Sequence, residues 1–225
     1  MALAKRHAVC QASPSGQHEE PDVPDRRSSL VPCLATVMLA AVLAGAPLAA
    51  LAHDGANRGN GLLTGFLHPI LGPDHVLAMV AVGLLGAILG APAIYLLPIV
   101  FPMVMAFGGA LGVAGVPLPA VEMGIALSAV VLGLMVAAGR PIPLAAAAVV
   151  VAVFAIFHGH AHGTELPAAV DATSYAIGFV VGTGLLHLVG IALGVPVRWT
   201  LGRTLVRALG GAIAIGGLAF LTGAA

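Results

Sequence analysis

Beyond residue 60, two short stretches of this sequence hold most of the side chains that could bind a metal ion. The first runs Gly65-Phe66-Leu67-His68-Pro69-Ile70-Leu71-Gly72-Pro73-Asp74-His75, the second Phe157-His158-Gly159-His160-Ala161-His162-Gly163-Thr164-Glu165. Both lie in apolar surroundings, where an ionisable group costs roughly 2.5–3.5 kcal/mol or more at a helix centre and so needs a partner or a function. In the first stretch an unbroken helix would put His68 and His75 on one face but about 10 Å apart along its axis, too far for one ion. Pro69 and Pro73 each remove a backbone donor and clash with an intact helix. A break is therefore predicted, which would bring the two imidazoles together and leave Asp74 near the start of a new half-helix, where a carboxylate is favoured. In the second stretch, helical rotation places His158, His162 and Glu165 within about 60° of one another. They form i,i+4 and i,i+3 pairs, neighbours that can share an ion, while His160 points to the opposite face. Glu122 and His187 complete the candidate set. A lone buried carboxylate stays protonated unless it meets a cation, which favours ligation for Glu122; His187 reads equally as a ligand or as an interhelical hydrogen-bonding group.

These are nitrogen and oxygen ligands, because both cysteines, Cys10 and Cys33, lie far upstream. Imidazole with carboxylate suits Ni²⁺, Co²⁺, Cu²⁺ and Zn²⁺ rather than Mg²⁺ or Ca²⁺, and the residues by themselves leave all four open. The bland readings are a proline kink whose His and Asp satisfy freed backbone groups, and a His-rich loop that merely buffers metal.

The elements that must position these groups are membrane helices. Charged residues make up 8% of the 225 and apolar ones 60%, with mean hydropathy +1.07, whereas a soluble domain carries about 25% charge. Period-2 alternation, the mark of a membrane β-barrel, is absent. Zero net charge argues against a nucleic-acid partner, and no phosphate-binding GxxxxGK[ST] loop is present. The chain is read as an all-α membrane protein, a six-transmembrane-helix bundle with a broken or kinked first helix, following a cleaved N-terminal signal peptide. Residues 1–29 are polar and close with the basic flank Arg26-Arg27, residues 34–46 are apolar, and Ala50-Leu51-Ala52 supplies an A-x-A end. Cleavage is expected after Ala52, dividing the chain into a leader, 1–52, and a membrane domain, 53–225. Spans are expected at about 61–90, 93–114, 118–138, 142–164, 172–194 and 202–223, from apolar runs punctuated by Pro and Gly. The short links suggest that consecutive spans pack as antiparallel neighbours. With His53 outside, the inner loops and the start of span six hold Arg140, Arg198, Arg203 and Arg207, against Arg58 alone outside. The positive-inside rule then gives a bacterial inner-membrane protein with both mature termini in the periplasm.

The pattern His68-x5-Asp74-His75, followed by Val76-Leu77-Ala78-Met79, together with Phe157-His158-Gly159-His160-Ala161-His162-Gly163-Thr164-Glu165, resembles the two signatures of the HupE/UreJ family of secondary nickel permeases. The likeness runs from about His53 to the C-terminus and includes Gly178-Phe179 and Leu186-His187 in span five. It implies import of nickel(II), or cobalt(II), as transported substrate and not as a prosthetic group, with hydrogenase or urease maturation as the indirect recipient. It also implies that His68, Asp74, His75, His162 and Glu165 handle the ion, with Glu122 and Phe101 joining by position. The extended leader departs from the family pattern. Two other functions share these ligands. An intramembrane metal-dependent hydrolase would use the same residue types, though neither HExxH nor a nucleophile motif is present; a metal-buffering membrane protein is the other.

Overall fold

Proline and glycine punctuate the helices of this chain. The computed structural model describes residues 61–166 and 170–224, all of them in helices or the turns between. The helices are α1 (Gly61–Leu71), α2 (Pro73–Leu89), α3 (Ala93–Val113), α4 (Val121–Ala138), α5 (Leu144–Thr164), α6 (Ala172–Gly194) and α7 (Thr200–Thr222), with a 3-10 turn at Val195–Arg198. The leader and the cleavage point after Ala52 lie outside the described residues.

The expected break in the first apolar segment is present. Pro73 occupies the first turn of α2, Gly72 caps it with extended backbone, and α1 meets α2 at 80°. Proline is tolerated at that position because its missing N–H would be unpaired there anyway. Helices α3 to α7 are each long and apolar enough to cross a membrane, and the bent α1–α2 pair meets the same test when taken together. The outer surface of the bundle agrees: Ile99, Met103, Phe107, Val149, Leu188 and Ile215 are all more than half exposed. Large apolar side chains spread over a whole surface belong in lipid, not water. This is a multi-pass membrane protein.

Helix α2 forms the centre. Every residue from Ala78 to Gly86 is buried, as expected of a helix that is apolar all round. It packs on α6, α4, α3 and α7.

The expectation that consecutive spans pack together holds only in part: α2 packs on α3 and α4 on α5, but these are not the closest pairings. The dominant pairs are α3 with α5, α4 with α7, and the α1–α2 pair with α6, whereas α3 and α4, α5 and α6, and α6 and α7 make little contact. Close backbone approach chooses the partners. A Cβ at Gly159 would overlap the Met105 carbonyl oxygen of α3, and one at Gly163 the Gly109 carbonyl oxygen. These contacts advance together along both helices, so α3 and α5 run parallel. With lipid outside, such small-residue stripes, and not apolar exclusion from water, draw helices together.

Among the described residues, the carboxylates and the arginines separate by end. Asp74, Glu122, Glu165 and Asp171 lie at the α1–α2 break, the start of α4, the end of α5 and the start of α6. Arg140, Arg198, Arg203 and Arg207 lie at the opposite end.

Candidate metal site

At the acidic end, the break between α1 and α2 and the last turns of α5 converge. The His68 Nε2 stands 3.8 Å from Glu165 Oε2. One ligand atom each from His68, His162 and Glu165 lie within 4.8 Å of one another, close enough for modest side-chain rotation to close around one ion. Glu165 caps α5 at its C-terminus and is half exposed, so this group faces the mouth of the site. Burial, with the Glu122 charge nearby, raises the Glu165 carboxyl above its ordinary range.

Further in, the imidazoles form a continuous run. The His68 ring is 4.8 Å from that of His162; His75 is 4.5 Å from His162 and 5.0 Å from His158. Hydrogen bonds set the tautomers along this run. The His75 backbone N–H and Nδ1–H both donate to Asp74 Oδ1, at 2.9 and 2.8 Å. The His158 Nδ1–H donates to the Phe154 carbonyl, 3.0 Å away. A carboxylate or carbonyl can only accept, so the proton sits on Nδ1 in both rings and the Nε2 lone pair is free to ligate. Neither Nε2, nor either nitrogen of His162, has a hydrogen-bond partner among the described residues. Buried polar atoms are normally paired, and a row of unpaired imidazole lone pairs fits a cation.

The helix geometry sorts the histidines of α5 as the spacing predicts. His158 and His162 face α1 and α2, whereas the His160 Nε2–H donates to the Val116 carbonyl in the α3–α4 connection, 2.7 Å away. Helix α5 stays regular through Gly159 and Gly163 to Thr164.

Two sequence candidates lie outside the run of imidazoles. Glu122 is exposed on the first turn of α4 and lies outside the three-ligand group. His187 lies two-thirds of the way along α6, separated from His158 by Phe101, whose ring is 5.4 Å from each. Tyr175 and Phe179 also line the site, and the sequence motifs give neither of them a site role. The Tyr175 ring is 5.9 Å from His68, and Phe179 is 4.2 Å from His162. Their i,i+4 spacing beside Gly178 and Gly182, which pack on α1, is the signal that puts both on the site face.

A family model described as HupE / UreJ protein matches residues 39–220. The chain is 46% identical to Protein HupE of Rhizobium leguminosarum bv. viciae over 177 residues, which cover 79% of this chain and 92% of that protein. No solved structure matches.

Proposed function

The chain belongs to the HupE/UreJ family, and on that premise we propose that it is a permease importing nickel(II), with cobalt(II) the alternative cargo, across the inner membrane. The observation that carries this reading is the convergence of His68, His162 and Glu165 ligand atoms within 4.8 Å at one end of a multi-pass bundle. Asp74, Glu122, Glu165 and Asp171 give that mouth a negative field, which raises the local concentration of divalent cations. Glu165, His68 and His162 take the ion as it sheds water. His75 and His158 offer the next lone pairs inward, His75 held in orientation by Asp74. Such an outer partner typically governs metal affinity by about 10–100-fold. Glu122 joins the approach to the mouth. The arginines at the opposite end support a cytoplasmic orientation for that end, and the proposal includes periplasmic mature termini and removal of the signal peptide. Hydrogenase or urease maturation would receive the cargo, and the protein itself performs no catalysis.

The test is nickel entry into proteoliposomes of the purified protein that enclose a fluorescent chelator. Accumulation that His162→Ala abolishes is the expected result. Nickel binding without entry would sink the permease reading and leave a metal buffer.

A further inference from the structure

His187 is 1% exposed and sits beyond the imidazole run, with Phe101 (0% exposed) wedged between it and His158. Neither of its ring nitrogens makes a hydrogen bond among the described residues. Thr183 lies one turn earlier on the same buried face of α6, and its Oγ1 is also unpaired. A helical threonine ordinarily bonds back to the carbonyl four residues before it; this hydroxyl does not.

Helix α3 contributes acceptors at the same level. The Pro98 carbonyl faces the His187 ring, short of hydrogen-bond geometry. Its helical donor would be the N–H of residue 102, and that residue is Pro102. By the same count Pro98 frees the Ile94 carbonyl. Freed carbonyls at membrane depth persist where protein buries them or where they line a polar cavity. An imidazole and a hydroxyl one turn apart on α6, with a backbone carbonyl of α3 beside the imidazole, thus offer lone pairs from the midpoint of the bundle toward the arginine end.

We propose that His187, the Thr183 hydroxyl and the Pro98 carbonyl form a second, inner station for a divalent transition-metal ion, with Phe101 as the apolar partition between it and His158. This rests on the permease reading. An ion leaving His158 passes the Phe101 ring to reach His187, so the two stations are never joined by a continuous polar path while that ring stays in place. Packing alone would make His187 only a donor toward the Pro98 carbonyl.

The variant that separates these roles is His187→Gln, whose amide can still donate to Pro98 and fill similar space but is a poor ligand. The full chain is purified, nickel binding is measured by equilibrium dialysis, and nickel entry is measured in proteoliposomes. The expected result is loss of a second, weaker nickel equivalent, retention of the tighter one, and entry slowed at least about tenfold, as loss of a metal-holding group implies. Binding and entry like wild type would overturn the inner station, as would slowed entry with both equivalents retained. Thr183→Val, which removes the hydroxyl and keeps the shape, is the second variant: it should weaken the second equivalent several-fold, and unchanged affinity counts against the station. Wild-type protein that binds both equivalents and transports neither would defeat the permease reading and leave the second site standing. Wild-type transport with a single equivalent would do the reverse.

Discussion

Gly159 sits between two histidines of the metal run, yet the structure gives it a packing role with a sign that can be measured. A methyl added there would overlap the Met105 carbonyl oxygen, a backbone atom that cannot swing aside. Helix α3 would have to retreat from α5. Overpacking of this kind costs about 1–3 kcal/mol, and a backbone obstacle puts it near the upper end. Alanine recovers about 1 kcal/mol of helix propensity over glycine, so the net loss is about 2 kcal/mol. For a chain of this length that lowers the melting temperature by about 4–8 °C. Gly211 provides the opposite case, because a Cβ there meets nothing within 4 Å. Gly211→Ala should keep the propensity gain, about 1 kcal/mol, and melt about 2–4 °C higher. Retreat of α3 also draws Phe101 from its 5.4 Å contact with His158, so Gly159→Ala should slow nickel entry at matched membrane abundance. Thermal unfolding in detergent, followed by near-UV circular dichroism, reads the first effect and proteoliposome uptake the second. If Gly159→Ala melts at or above wild type, the parallel α3–α5 packing described above is wrong.

Three other outcomes follow from the same geometry. His162→Ala should abolish nickel entry and His160→Ala should spare it, costing only about 0.5–1.5 kcal/mol of stability through the lost Val116 hydrogen bond; uptake lost equally in both would contradict the one-face arrangement. Asp74→Asn, which weakens the tie to His75 Nδ1, should reduce nickel affinity by about 10–100-fold in equilibrium dialysis, and unchanged affinity would remove Asp74 from the site. Asp171 caps α6 by accepting from the Ser174 N–H, 2.6 Å away, which holds its carboxyl below the ordinary 3.8. Its stabilisation is therefore present above pH 3.8 and is lost as pH falls through the lowered value. The melting gap between wild type and Asp171→Ala should close on acidification, and a gap that widens would refute the cap.

Much of this architecture was legible because membrane helices announce themselves. Expected spans such as 93–114 and 172–194 match α3 (Ala93–Val113) and α6 (Ala172–Gly194) to within a residue, since proline, glycine and the apolar length requirement act locally. The break at Gly72-Pro73 was legible for the same reason. Helix partners were not. Loop length tells which helices follow one another, while the partners here depend on glycine stripes such as Gly108/Gly112 against Gly159/Gly163, a tertiary match visible only when two spans are compared. The site divides the same way. His68, His75, His158 and His162 could be grouped from helical period and one break, but the separation of His187 needed the position of Phe101 on another helix. Tyr175 carries no motif at all; only the close packing of α1 against α6 brings it to His68.

X-ray absorption at the nickel edge of the loaded, purified protein, alongside His162→Ala, tests the metal site most directly. A coordination shell of nitrogen and oxygen with imidazole scattering is expected, with fewer imidazoles or no bound nickel in the variant. Sulfur in the shell, or an unchanged spectrum in His162→Ala, would contradict the proposed site.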